Sequence, residues 1–260
     1  MIAEQAVNCL EAFVLLVNIF RTIRLIGYGK RSMACVFWLF AMISFLISNV
    51  YWIIYDILRP ETRMPMAANE FGEAALFLLM ASMLGDLIPK GGGLFRRERA
   101  GAVLFGAASI ILWIAWSGEW FQDIFFGSLF CVFLQVVART VRQTGACSAK
   151  EWRAAEICAV VLIAGEAAVL FLKDPLHTVL DVFCYIFMFC ILGYLLKKLI
   201  AALRRGKDAK RNLALAAGGF TWATSIMYMS EGIWYIAAHL ISVFLLVFLQ
   251  VFLEKEVGRA

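Results

Sequence analysis

Apolar runs of about twenty residues follow one another along almost the whole chain, and only short polar segments separate them. A helical run of that length crosses the hydrocarbon of a bilayer, because each helical residue rises about 1.5 Å. Inside hydrocarbon, only helices and closed barrels satisfy every backbone N–H and C=O, and these runs are far too long for barrel strands. The sequence therefore predicts an all-α protein, a polytopic bundle of transmembrane helices.

Composition supports the same class. The chain has 260 residues, of which 63% are hydrophobic and 17% charged, and its mean hydropathy is +0.84. A soluble domain of this length has too little interior for so much apolar surface, so the lipid bilayer is the expected surrounding of most side chains. No polar block is long enough to fold alone, which predicts a single integral membrane domain over residues 1–260.

Windows of about 20 residues, read against bilayer thickness, give nine predicted spans. They cover residues 5–26, 33–58, 66–88, 100–117, 121–141, 153–172, 176–197, 212–230 and 232–253. The first span is the most polar at its end, since Arg21 and Arg24 lie within it. It crosses the membrane fully only if both side chains extend to the inner headgroups.

The charges of the loops predict an orientation. Basic residues concentrate in the segments 21–31, 90–99, 139–153 and 197–211, whereas the intervening turns carry acidic residues. Every second loop is basic, and the positive-inside rule makes those loops cytoplasmic. The amino terminus is then outside and the carboxyl terminus cytoplasmic. The net charge of +5 does not indicate a nucleic-acid partner, because the basic residues form these short loop clusters.

Ionisable residues inside the predicted spans are the main indication of function, because charge is costly in hydrocarbon. Five of them lie roughly 8–12 Å below the outer end of their helices, at one level of the bundle. They are Glu11, Glu73, Glu166, Asp181 and His239. No Lys or Arg is expected at that level, so the pattern predicts an outward-facing acidic and histidine pocket for a proton, a metal ion or a cationic ligand.

Three further residues are predicted to belong to this pocket. Tyr235 lies one helical turn above His239, and His177 one turn above Asp181. Asn69 shares the start of the third span with Glu73. A packing role is the alternative for the deep residues, as neutral carboxyls hydrogen-bonded between helices. His177 is also close enough to a helix end to be an interfacial residue.

Metal and cofactor signatures are weak. The two histidines occupy unconnected positions, without the Glu-x-x-His or His-Glu-x-x-His spacing of metal sites, and the pattern identifies no cofactor. Several tryptophans, Trp113 and Trp116 among them, fall near predicted span ends, which is typical of an interfacial aromatic belt.

Function is predicted only by class. The sequence contains no Walker motif, nucleophile elbow or zinc-protease signature. The acidic pocket favours transport or binding of a small cationic or proton-coupled ligand. A membrane-embedded enzyme, using acid/base or metal-assisted hydrolytic chemistry, is the alternative. A sensor subunit would need a membrane partner protein for its output. The short loops are typical of a bacterial cytoplasmic membrane, so we expect the cell membrane as its location.

Overall fold

The computed structural model describes residues 2–29, 32–59, 68–88, 96–118, 120–205 and 208–258. This part of the chain is entirely helical, without a strand, and it contains nine α-helices. In chain order they are α1 (Ile2–Gly27), α2 (Met33–Leu58), α3 (Ala68–Leu87), α4 (Arg96–Ser117), α5 (Trp120–Gln143), α6 (Ala149–Val169), α7 (Leu176–Arg205), α8 (Ala209–Tyr228) and α9 (Gly232–Val257).

The helices match the predicted spans one for one. The largest difference is at the end of α7, which continues to Arg205 rather than ending near residue 197. This last part of α7 carries Lys197, Lys198 and Arg204. Lysine and arginine are good helix formers, so they do not end a helix. The end of the apolar run predicts where a membrane span ends, and the helix itself continues beyond that point.

Five helices are long and apolar enough to cross a membrane, judged by length and composition within the described residues. These candidate spans are Met33–Leu58, Arg99–Ser117, Trp120–Gln143, Leu176–Arg204 and Gly232–Val257. The chain is therefore compatible with a membrane-embedded protein. The other four helices, α1, α3, α6 and α8, contain more polar residues.

The position of α8 explains why it is less apolar. Fourteen of its twenty residues are buried, and it packs against α5, α7 and α9. Many of these buried residues are alanine, glycine, serine or threonine, whose small side chains allow helices to approach closely. Its hydroxyls bond back to its own carbonyls, as Thr221 does to Ala217 and Thr224 to Phe220. A helix surrounded by protein has no need of an apolar surface for lipid.

Polar residues of α1 have partners on α2 and α9. Arg21 forms a two-pronged ion pair with Glu254 on α9, its Nε and Nη2 lying 2.8 and 2.5 Å from the two carboxylate oxygens. Gln250, fully buried, accepts from Trp38 Nε1 at 2.5 Å and from Thr22 Oγ1 at 3.1 Å, and donates to Glu254 at 2.8 Å. The low hydropathy of α1 thus reflects polar contacts inside the bundle.

The helices are arranged so that one end of the bundle collects most of the acidic residues. The amino-terminal halves of α1, α3, α5 and α9 meet the carboxyl-terminal parts of α2, α4 and α8 around a shared cavity. The network of Arg21 and Glu254 lies at the opposite end, with the basic end of α7.

Candidate functional site

A cavity of about 300 Å³ lies at the acidic end of the bundle, between seven helices. Its wall consists of eighteen residues, contributed by α1 to α5, α8 and α9. Two of them, Trp52 and Trp116, are 39% and 57% exposed, so part of the cavity wall lies at the protein surface. Other wall residues, such as Glu11 and His239, are only 3% exposed. The cavity therefore extends from an aromatic opening to a deeply buried polar floor.

Glu11 is the centre of that floor. Asn49 Nδ2 donates to Glu11 Oε2 at 2.5 Å, which links α1 to α2. His239 Nε2 of α9 lies 3.2 Å from the same oxygen, at ion-pair distance but without the alignment of an N–H hydrogen bond. The ring of Tyr235 packs edge-on against His239, with 5.6 Å between the ring centroids. Three helices thus converge on one carboxyl group.

Glu73 is held on another wall. The hydroxyl of Tyr228, at the end of α8, donates to Glu73 Oε2 at 2.7 Å. Two aromatic rings fix the ring of Tyr228 edge-on: Trp113 at 5.6 Å and Phe126 at 4.8 Å between centroids. Rings packed in this way leave the phenol little freedom. Glu73 is therefore oriented by a donor that is itself immobilised.

Two more carboxyl groups lie among the wall residues. Gln122 Nε2 of α5 donates to Glu70 of α3 at 3.0 Å, and Ser117 Oγ of α4 donates to Asp123 of α5 at 2.5 Å. With Glu11 and Glu73, the wall contains four acidic side chains and one histidine, and no Lys or Arg among the described residues that form it. Each carboxyl group accepts from a neutral donor on another helix, so the wall keeps its acidic character.

Several polar atoms of the wall have no hydrogen-bond partner in the described protein. They are Glu11 Oε1, Asn49 Oδ1, Trp113 Nε1, Gln122 Oε1 and His239 Nδ1. A buried polar group left in this way costs about 1–3 kcal/mol, and native proteins therefore supply partners for nearly all of them. All five atoms belong to side chains that line the cavity, so a polar ligand bound there is a candidate partner. The five atoms make this cavity a candidate binding site.

Four of the predicted pocket residues line the cavity: Glu11, Glu73, Tyr235 and His239. The side chain of Asn69, also predicted, lies outside the described residues.

The other predicted residues lie elsewhere. Glu166 on α6 is close to Asp181 on α7, with Tyr185 beside it, and neither carboxyl group is part of the cavity wall. His177, one turn before Asp181, is half-buried and also outside the wall. The ionisable residues predicted at one level of the bundle therefore form two separate groups, one in the cavity wall and one between α6 and α7.

The structure also adds residues that were not predicted to belong to the pocket. Asn49, Tyr228 and Gln122 each donate to a cavity carboxyl group. Trp113 was assigned to an interfacial belt, and this is wrong: it is 5% exposed and forms part of the wall. Asn49 offered the clearest signal, as a lone amide within an apolar span, whereas tyrosine and tryptophan near span ends are too common to be informative.

Among the described residues, no three His, Cys, Asp or Glu side chains come together closely enough to hold a metal ion. No protein-family model matches the sequence, and no curated protein or solved structure is significantly similar to it.

Proposed function

We propose that the chain is a multi-pass protein of a bacterial cell membrane, with nine spans, an external amino terminus and a cytoplasmic carboxyl terminus. The basic ends of α1, α5 and α7 lie at the end of the bundle remote from the cavity. Under the positive-inside rule, that end is cytoplasmic. The cavity then faces the outside.

Within that framework, the cavity binds a small cationic or proton-coupled ligand for transport. The observation that carries this proposal is the set of five buried polar atoms without partners, which belong to residues of a wall that also contains four carboxyl groups. The described wall residues include no Lys or Arg, so carboxyl groups such as Glu11 and Glu73 favour a ligand that brings a positive charge. A bilayer location for the site makes transport the leading form of the proposal.

Cysteine accessibility tests both the orientation and the cavity. Ser48, on the cavity wall, and Ser242, one turn below His239 and outside the wall, are both about 2% exposed. We expect Ser48→Cys to react with a membrane-impermeant maleimide from outside, above the background of the wild-type chain. Ser242→Cys should remain unlabelled, and Gly206→Cys should react only from the cytoplasmic side.

The labelling pattern also separates the outcomes. Reaction of Ser48→Cys from both sides, in different conditions, supports transport, because alternating access exposes one site to both compartments. Absence of any reaction at Ser48→Cys, or reaction of Gly206→Cys from outside, would contradict the proposal.

Acid–base catalysis is the second candidate, and the contact of Glu11 with His239 favours it. A carboxyl group 3.2 Å from the imidazole of a residue that lines a cavity is the arrangement of a general base and its orienting group. If the chain is an enzyme of this kind, Ser48→Cys should react with the maleimide from the outside alone. The His239→Gln variant should then lose turnover of the substrate but keep its binding.

A further inference from the structure

We infer that the ligand of this cavity carries an organic ammonium group with short alkyl substituents and at least one N–H or O–H donor. The inference rests on the proposed function, since it names the chemical class of the cation.

The wall is aromatic as well as acidic. Seven of its eighteen residues carry aromatic rings, and three of these are tryptophans, Trp52, Trp113 and Trp116. Aromatic faces attract organic cations electrostatically, with tryptophan the strongest, and they also bury alkyl substituents. A bare inorganic ion gains little from such a wall, because it needs oxygen ligands on all sides. The rings therefore indicate a cation whose surface is partly apolar.

The carboxyl groups are distributed in a way that suits a diffuse charge. Glu11, Glu70 and Glu73 are each tied to a separate donor, Asn49, Gln122 and Tyr228 in that order. Glu11 belongs to α1, whereas Glu70 and Glu73 lie one turn apart on α3, and among the described residues no three acidic or histidine side chains come together closely enough to hold a metal ion. An alkylammonium group spreads its charge over several substituents and interacts with carboxylates on more than one side.

The atoms without partners define the ligand's polar groups. Three are acceptors only, namely the oxygens of Glu11, Asn49 and Gln122, while Trp113 Nε1 is a donor. Acceptors outnumber the fixed donor, so a ligand that brings N–H or O–H groups satisfies more of the wall than one that brings none. The volume, about 300 Å³, is at the lower end of small-molecule pockets and fits an ammonium head with a short chain.

A set of matched probes tests the inference on the full chain in lipid nanodiscs. Choline and 2-(dimethylamino)ethanol carry the positive nitrogen, whereas 3,3-dimethyl-1-butanol has the shape of choline without the charge. Binding is measured by calorimetry, with Mn²⁺ as the inorganic probe. We expect at least one of the two ammonium compounds to bind about ten times more tightly than the neutral alcohol, a ratio equal to about 1.4 kcal/mol.

Two tryptophans at the same end of the bundle provide matched variants. Trp116 lines the cavity, and Trp120, similarly exposed at 63%, does not. Trp116→Leu should weaken ammonium binding by about 2- to 30-fold, the range of a single cation–π contact. Trp120→Leu should leave binding unchanged. Because both side chains are largely exposed, neither variant is expected to disturb folding.

Four results would overturn the inference. Equal binding of choline and its neutral isostere would show that the ammonium group is not recognised. Equal effects of Trp116→Leu and Trp120→Leu would show that Trp116 makes no contact with the ligand. Binding of Mn²⁺ alone, lost in Glu73→Gln, would retain the proposed cation site but exclude the organic class. Absence of binding by every probe excludes the ammonium ligand, and the proposed function then fails only if Ser48→Cys is also unreactive.

Discussion

The hydroxyl of Tyr228 donates a 2.7 Å hydrogen bond to Glu73, and the pair joins α8 to α3 across 155 residues of sequence. Both side chains belong to the cavity wall. The contact therefore has two consequences, since it fixes the relative position of two helices and also directs a carboxyl group toward the cavity.

Removal of this donor should destabilise the protein. Tyr228→Phe keeps the ring that packs on Trp113 and Phe126 but leaves Glu73 without its partner, which costs about 1–3 kcal/mol. Tyr235→Phe is the control, because it removes the same atom from another wall residue that does not bond Glu73. We expect a lower thermal midpoint in detergent for Tyr228→Phe than for Tyr235→Phe. Equal midpoints would show that the bond contributes nothing.

Close packing of α2 against α3 gives a second prediction. A Cβ added at Gly72 would lie 2.7 Å from the backbone oxygen of Ser44 and 2.7 Å from Ser48 Cβ. Gly72→Ala should force the two helices apart, destabilise the bundle by about 1–3 kcal/mol and displace the Ser48 wall of the cavity. Gly193→Ala on α7 is the control, since nothing lies within 4 Å of its added Cβ. That variant should be neutral or more stable by up to about 1 kcal/mol, as alanine is a better helix former.

Gln250 gives a third prediction, at the other end of the bundle. Gln250→Leu leaves Trp38 Nε1 without its acceptor in a fully buried place, whereas Thr22 Oγ1 keeps the carbonyl oxygen of Asn18, so the cost should be about 1–3 kcal/mol. Thr22→Val removes only one donor, and Gln250 still accepts from Trp38. Thermal unfolding should therefore rank Gln250→Leu clearly below Thr22→Val. The reverse order would show that this network is not held together by Gln250.

The helices could be predicted from sequence because apolar length and loop charge are local properties of the chain. The α2 helix, for example, begins and ends at the predicted residues 33 and 58. The site was predicted only in part, because depth along a helix fixes a residue's level but not its position around the bundle. Glu73 and Asp181 have similar predicted depths, yet only Glu73 faces the cavity, since α3 packs beside α2 and α5 whereas α7 packs beside α6 and α8.

Trp113 shows a second limit of the sequence. A tryptophan near a span end looks the same whether it meets the lipid interface or the protein interior. Its environment depends on which face of α4 turns toward the bundle, and its contact with Tyr228 of α8 joins residues distant in the chain. Helix rotation is set by packing, which a single sequence does not display.

A pH effect is expected at the start of α6, at the basic end of the bundle. Glu151 is partly buried, which raises the pKa of its carboxyl group, but hydrogen bonds from Lys198, Tyr194 and Ser148 outweigh this and lower its pKa from 4.5 to about 2. A carboxyl group whose pKa is lower in the folded protein stabilises it fully above pH 4.5. That stabilisation declines as the pH falls from 4.5 toward 2.

The matching variant is Glu151→Gln. At pH 7 it should lower the stability by about 1 kcal/mol, since the contacts are partly exposed and solvent weakens them. The difference from the wild type should shrink as unfolding is measured at pH 5, 4 and 3. A difference that stays constant over this range would show that the charge of Glu151 is not responsible.

The last prediction compares Glu73, which lines the cavity, with Asp181, which has a similar predicted depth but lies between α6 and α7. Glu73→Gln replaces a cavity carboxyl group by an amide, which still accepts from Tyr228 but cannot carry negative charge. The fold should therefore persist while choline binding falls at least about tenfold, as expected when a cation loses a desolvated carboxylate. Asp181→Asn makes the same chemical change between α6 and α7, outside the cavity wall, and should leave choline binding unchanged.

Calorimetry with choline, alongside thermal unfolding of both variants, measures the two effects separately. If both amides preserve binding, the carboxyl groups only hold helices together. If Asp181→Asn abolishes binding and Glu73→Gln does not, the ligand is bound between α6 and α7 instead, because only there would the charge of Asp181 reach it.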